Sequence, residues 1–353
     1  MKKLSILMIL AGCFIFSAYC QHYPQDKHWQ VVFEDNFTND FTYYWGNDRW
    51  YKSYGVKNAG KENEVIYFST YDNVSIENGK LVLRAQKQNS PPCNPPNGSC
   101  KYGGIHSYTS GSLVSNSKNY HYGYYEIYTK LPAGTGFFPA FWMWSHNEES
   151  CWYNEIDIFE VISCETNKVQ SNAYWDFECP IGEGYGIDIG IGTIKHDYDF
   201  SQWHWYGLEW DKDKITWYID RKVVRQIPNT MGGKGIQNPM HILISFQLAP
   251  WGCGINDSDF PGEILVDQCN AYKLKYDCAK NETINSFSDF ANYNYAVKKS
   301  VTLGGNTALP LGSDISLRAT DFIELQNGFT VHNGAELYLD NNPCVLTSIR
   351  QNE

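Results

Sequence analysis

The chain has 353 residues, a formal net charge of −11 and 16 % aromatic residues, among them 12 Trp and 26 Tyr. That length suits one large β domain with a small appendage, or two medium domains. The acidic balance, with no Lys/Arg cluster beyond the N-terminus, excludes a protein built to grip a phosphate backbone. The many Trp and Tyr side chains offer flat amphipathic surfaces as well as core volume.

Residues 1–20 read as a signal peptide. Lys2 and Lys3 precede an apolar run that reaches Phe16, and Ala18 and Cys20 are small residues at the −3 and −1 positions of a cut before Gln21. Leu10-Ala11-Gly12-Cys13 also matches a bacterial lipoprotein cleavage box, which would place a lipid on Cys13. The apolar run continues through Phe14-Ile15-Phe16, which favours a soluble secreted product. No later run has the length of a membrane span. Eleven cysteines fit an exported, disulfide-bearing chain. Cys93 and Cys100 bracket a Pro/Asn/Gly loop and read as its staple. The pairing of Cys151, Cys164, Cys179, Cys253, Cys269, Cys278 and Cys344 stays open. No C-x-x-C or H-x-x-x-H spacing points to a transition-metal site.

Residues 29–276 consist of short alternating apolar runs between Gly, Pro, Asn and Asp. Lys80-Leu81-Val82-Leu83-Arg84, Tyr124-Tyr125-Glu126-Ile127-Tyr128 and Ile215-Thr216-Trp217-Tyr218-Ile219 are examples. Many short strands with regular turn signals predict an all-β, two-sheet antiparallel sandwich of the jelly-roll kind with one concave face, spanning residues 21–278. Residues 279–353 form a second unit. Its first part, 281–295, lacks periodicity and reads as a linker. Beyond it Gly312-Ser313-Asp314-Ile315-Ser316-Leu317 is echoed by Gly334-Ala335-Glu336-Leu337-Tyr338-Leu339. Such Gly-entered strands must stack to bury a face, so a small β-repeat module is expected. A spacer, a glycan-binding module and a cell-surface attachment element are all compatible with it.

The chemistry concentrates in Asn154-Glu155-Ile156-Asp157-Ile158-Phe159-Glu160. On a strand Glu155 and Asp157 share a face, whereas Glu160 falls on the opposite, apolar face. A buried unpaired carboxylate there is costly. One extra residue, a β-bulge between Asp157 and Glu160, restores the parity and brings all three acids together. Mutual repulsion and partial burial then keep at least one acid protonated near neutral pH, as glycosyl transfer between two carboxyl groups requires. The bland alternative is a solvated acidic edge or a calcium site. Just upstream, Trp142 and Trp144 share a face, and beside the acids they would line a cleft for sugar rings.

In this frame the sequence resembles glycoside hydrolase family 16, the laminarinase and lichenase family, in the version with a bulged catalytic strand. The resemblance rests on Glu62-Asn63-Glu64, Asn78-Gly79-Lys80-Leu81, Tyr122-Gly123-Tyr124-Tyr125-Glu126, Phe138-Pro139-Ala140-Phe141-Trp142, the acid motif, His204-Trp205-Tyr206-Gly207-Leu208-Glu209-Trp210 and Ile264-Leu265-Val266-Asp267, in the family's order. It implies retaining endo-hydrolysis of a β-1,3- or mixed β-1,3-1,4-glucan by a monomer that needs no cofactor for catalysis. Glu155 then corresponds to the nucleophile, Glu160 to the general acid/base and Asp157 to the acid that tunes the nucleophile. Asn63, Glu64 and Trp142 match subsite positions; Trp144 and Trp175 are further candidates for the cleft, Trp175 standing equally well as core. Gly79 and Asp267 match positions that hold a structural calcium ion in many members, with Glu34 as a third candidate ligand. The chain departs from the family where Asn172-Ala173-Tyr174-Trp175 replaces a His-bearing stretch, and in its Cys151, Trp152, Cys164 and Cys179. An algal galactan is the alternative substrate; sulfated forms would call for Lys or Arg in the cleft, and 137–165 has none. A transglycosylase or a non-catalytic lectin on the same frame is the other alternative, but a binder has no use for three repelling acids.

Overall fold

The computed structural model describes residues 27–38, 49–52, 55–57, 67–69, 71–89, 107–117, 120–147, 152–162, 165, 167–176, 189–190, 194–230, 235–248 and 254–344. The leader, the Cys93–Cys100 loop, Asn63, Glu64 and Cys151, Cys164, Cys179 and Cys253 lie outside these residues.

Among the described residues an 11-stranded sheet faces an 8-stranded sheet, and nearly all pairings in both are antiparallel. The predicted all-β sandwich is thus the architecture found. Alternation drives it. In the larger sheet Tyr125, Ile127, Tyr206, Leu208, Trp210, Ile215 and Trp217 point inward; in the smaller sheet Phe141, Met143, Ile156, Ile242 and Ile244 meet them. Each such side chain contributes about 1.5–3 kcal/mol when fully buried. A one-residue slip of the strand Trp152–Glu160 would move Ile156 into solvent and Glu155 and Asp157 into this core, so register is strongly specified. The hairpin joining Val74–Glu77 to Lys80–Lys87 turns through Asn78 and Gly79, with φ of 53° and 70°. Left-handed backbone at both positions is what a two-residue hairpin demands of Asn-Gly.

The C-terminal unit differs from expectation at its start. The strand Gly262–Leu274 of the larger sheet runs after a single residue into Tyr276–Ile284, the first strand of the module. No linker intervenes. Asn281 and Ile284 belong to that strand, and Phe287–Asn292 forms a 3-10 helix. Phe290 and Tyr293 are buried in the module's own core, while the Asp289 carboxylate accepts from the backbone N–H groups of Asn285 and Ser286. A strand end, a short helix and a turn in succession leave no periodicity to read, which is why the segment resembled a linker.

The repeat itself stacks as expected. Tyr276–Ile284, Val297–Leu303, Asp314–Leu325 and Glu336–Asn341 lie side by side in parallel, with Ile315 opposite Leu337 and Leu317 opposite Leu339. A disulfide joins Cys278, on the first of these strands, to Cys344 after the last. Cys269 keeps a free thiol buried in the sandwich core.

The module is packed on the outer face of the larger sheet. Trp29, Tyr124, Tyr218 and Leu274 cluster there with Val297 of the module. Gly207 has no side chain to obstruct the Tyr124 ring: a Cβ would sit 2.5 Å from its hydroxyl. Buried His28 is hydrogen-bonded to Ser316 and Tyr293, and Lys214 pairs with Asp340 at 3.2 Å. No helix among the described residues is long and apolar enough to cross a membrane.

Candidate active site

The acids lie on Trp152–Glu160, between Phe137–Asn147 and Lys168–Asp176 in the smaller sheet. The expected bulge is present. Asp157 faces Asn172 and Glu160 faces Gln170, so three residue steps on one strand match two on the next. The other neighbour shows the same break, with Trp142 opposite Asp157 and Phe141 opposite Phe159. Ile158 and Phe159 both turn into the core. Glu160 therefore returns to the face of Glu155 and Asp157.

Antiparallel partners project to the same side, so three cross-strand rows form the floor of the concave face. One row reads His241, Trp144, Glu155, Tyr174; the next Leu243, Trp142, Asp157, Asn172; the third Ser245, Ala140, Glu160, Gln170. Each carries one acid. Trp142 and Trp144 are half-buried beside them, as expected, and the Trp142 indole donates to the Ser245 hydroxyl at 3.0 Å. Ala140 leaves room next to Glu160.

The electrostatics separate the acids. Asp157 is 1 % exposed, and burial pushes its pKa well above the carboxylate range; the charge of Glu155 and a hydrogen bond with it push the same way. Both effects favour the protonated form of Asp157 over its carboxylate. Glu160 is also raised well above the usual range, by burial first and then by Asp157. Two of the three acids are thus pushed toward their protonated forms, Glu160 two rows from Glu155, and acid-assisted glycosyl transfer needs one carboxyl group that keeps its proton.

Of the two alternatives open for Trp175, platform or core, the structure favours the core. Trp175 stands on the same side of its strand as Ala173 and packs against the sandwich core, so it is no sugar platform in the cleft. Tyr174, one residue earlier, occupies the cleft position opposite Glu155. Sequence reading also missed Gln170 and Asn172. The signal was available, because Gln170, Asn172 and Tyr174 alternate with Val169, Ser171 and Ala173. The indole drew attention to the wrong parity.

Lys80 forms an ion pair with Asp267, the residue expected to supply the side-chain ligand, and its ammonium also lies 5.3 Å from the centre of the Trp203 ring. Glu34 pairs with Asn270, three residues along the strand from Asp267, and Gly79 sits at the hairpin turn. Among the described residues no group of three or more His, Cys, Asp or Glu is placed to hold a metal ion. The Asp267 carboxylate expected to serve calcium is thus shared with the Lys80 ammonium.

A profile of Glycosyl hydrolases family 16 matches residues 61–261, which include all three acids. The chain belongs to glycosyl hydrolase family 16. Similar proteins are found by both sequence and fold. A β-glucanase of Rhodothermus marinus is 25 % identical over 289 residues, covering 76 % of this chain and 93 % of that protein. The laminarinase catalytic domain of Thermotoga maritima superposes with a TM-score of 0.54 at 25 % identity, over 69 % of this chain and 98 % of that one. A chain from work on endo-acting O-glycanases that human gut microbiota express to initiate mucin breakdown superposes with a TM-score of 0.56 at 26 % identity, over 70 % and 92 %. The chain is accordingly an endo-glycosidase of family 16.

Proposed function

We propose that this protein is a retaining endo-hydrolase of β-1,3- or mixed β-1,3-1,4-glucan, with Glu155 as nucleophile, Glu160 as general acid/base and Asp157 as the neutral donor that orients Glu155. The observation that carries the reading is the three-row floor, in which the bulge sets Glu160 on the face of Glu155, where burial raises its pKa. The Glu155 carboxylate attacks the anomeric carbon while Glu160 protonates the departing glycosidic oxygen. Glu160, now a carboxylate, takes a proton from water as that water attacks the anomeric carbon and releases Glu155. Trp142 and Trp144 offer flat faces to sugar rings alongside.

No Lys or Arg stands in the three rows, which favours a neutral glycan over a sulfated galactan. Export belongs to the same proposal: the leader-like residues 1–20 and the Cys278–Cys344 disulfide both suit an oxidising compartment. Within it the module is the element available for attachment to a cell surface, and the enzyme acts as a monomer.

The test is a reducing-end assay on laminarin, mixed-linkage glucan, agarose, porphyran, carrageenan and mucin O-glycans, with Glu155→Gln as control. Turnover of either glucan, lost in the control, is the expected result. Turnover only of a galactan or an O-glycan would overturn the substrate, and full activity of Glu155→Gln would remove that residue from the mechanism.

A further inference from the structure

The bulge that makes the site also breaks the ladder that would hold its backbone in place. Two side chains from the opposite sheet reach through the core to this region. The Trp217 indole N–H donates to the backbone carbonyl of Asp157 at 2.8 Å. Arg225, directly opposite Trp217 on the next strand, lies over its ring with 5.0 Å between guanidinium carbon and ring centre. Arg225 donates in turn to the carbonyl of Ser171 at 2.7 Å. Ser171 lies between Gln170 and Asn172, the partners of Glu160 and Asp157 across the bulge. Trp217 is 1 % exposed and Arg225 7 %.

We propose that Trp217 and Arg225 are positioning residues for the catalytic acids, a stacked pair that holds the bulged strand and its neighbour from behind. This rests on the functional reading given above. The physical case is that a carbonyl at a ladder break, turned toward a dry core, needs a donor, and losing one leaves a buried acceptor that the strand must move to satisfy. Any such movement re-aims Asp157 and Glu160 together, because they flank the break. Burial and the neighbouring carboxylates account for the raised pKa values of both acids, so the role assigned to Arg225 is geometric.

The matched control is Trp210, another fully buried indole of the same sheet, which donates to the Ile236 carbonyl at 3.1 Å. Trp217→Phe and Trp210→Phe each delete one indole–carbonyl bond and a similar volume. In Trp217→Phe, kcat should fall at least about tenfold with KM within about twofold, since misplaced catalytic groups weaken transition-state contacts more than ground-state binding. Amide hydrogen exchange over residues 157–160 should quicken about tenfold or more. Trp210→Phe should change neither. Arg225→Lys keeps the charge but loses the planar fork; it should reproduce the kcat loss in weaker form, and it carries the test if Trp217→Phe does not fold. Equal effects of Trp217→Phe and Trp210→Phe on kcat and on exchange at the bulge would overturn the proposal. If the unsubstituted protein shows no Glu155-dependent turnover, the functional reading falls, and exchange alone decides whether the pair holds the bulge.

Discussion

Removing the module by ending the chain after Lys275 should destabilise the sandwich itself. Trp29, Tyr218 and Leu274 are each 7 % exposed in the full chain and Tyr124 is 0 % exposed. Burying four such side chains is worth about 6–12 kcal/mol in area terms. If the module supplies about half of that cover, truncation loses about 3–6 kcal/mol, an upper estimate because unfolded chains are not fully extended. A domain has only about 5–15 kcal/mol to lose, and for one of this size Tm should drop on the order of 10 °C or more. The truncation also removes Arg318, whose guanidinium lies 5.8 Å from the Trp29 ring centre, and leaves Lys214 without Asp340. Thermal unfolding of the two chains, with binding of a hydrophobic dye as a second readout, measures the effect. A truncated chain whose Tm lies within about 2 °C of the full chain, with no gain in dye binding, would refute the reasoning and restore the picture of a tethered appendage.

Four further outcomes are expected. Glu160→Gln should cost about 10²–10⁴ in kcat on natural glycan and far less on aryl glycosides with good leaving groups; equal losses on both would count against the acid role. The raised pKa of Glu160 means its proton is lost only above the usual carboxylate range, so kcat/KM should decline on the alkaline side. A raised folded pKa favours the fold below the unfolded value and withdraws that support as pH rises through the folded value. Glu160→Gln should accordingly gain Tm relative to the parent at pH 8 but not at pH 4. Finally, with Lys80 on Asp267, a chelator should leave Tm and activity unchanged and added calcium should not raise Tm; a chelator-induced fall in Tm would show that the ammonium gives way to an ion.

Much of the site was legible in the sequence because strand parity is a strict rule. The odd spacing of Glu155 and Glu160 conflicts with an apolar face, and only a bulge resolves it; the register confirms the break between Asp157 and Glu160. The Trp142–Trp144 pair followed from the same rule, and the Gly312 and Gly334 repeat from its echo. Trp175 shows the limit: residue type left a sugar platform and a core role equally open, while parity with Ala173 sends the side chain to the core.

What only the tertiary structure decided are the contacts between distant segments. Sequence periodicity reports which face of a strand is apolar, not which strand lies beneath it. That the Trp217 indole meets the Asp157 carbonyl, 60 positions away, that Lys80 reaches Asp267, and that the module covers Trp29 and Tyr218 all depend on sheet order and on two layers closing over one core. Local rules of alternation and turn chemistry determined the strands and the acid face; the global packing of those strands determined what stands behind the acids and what covers the outer sheet.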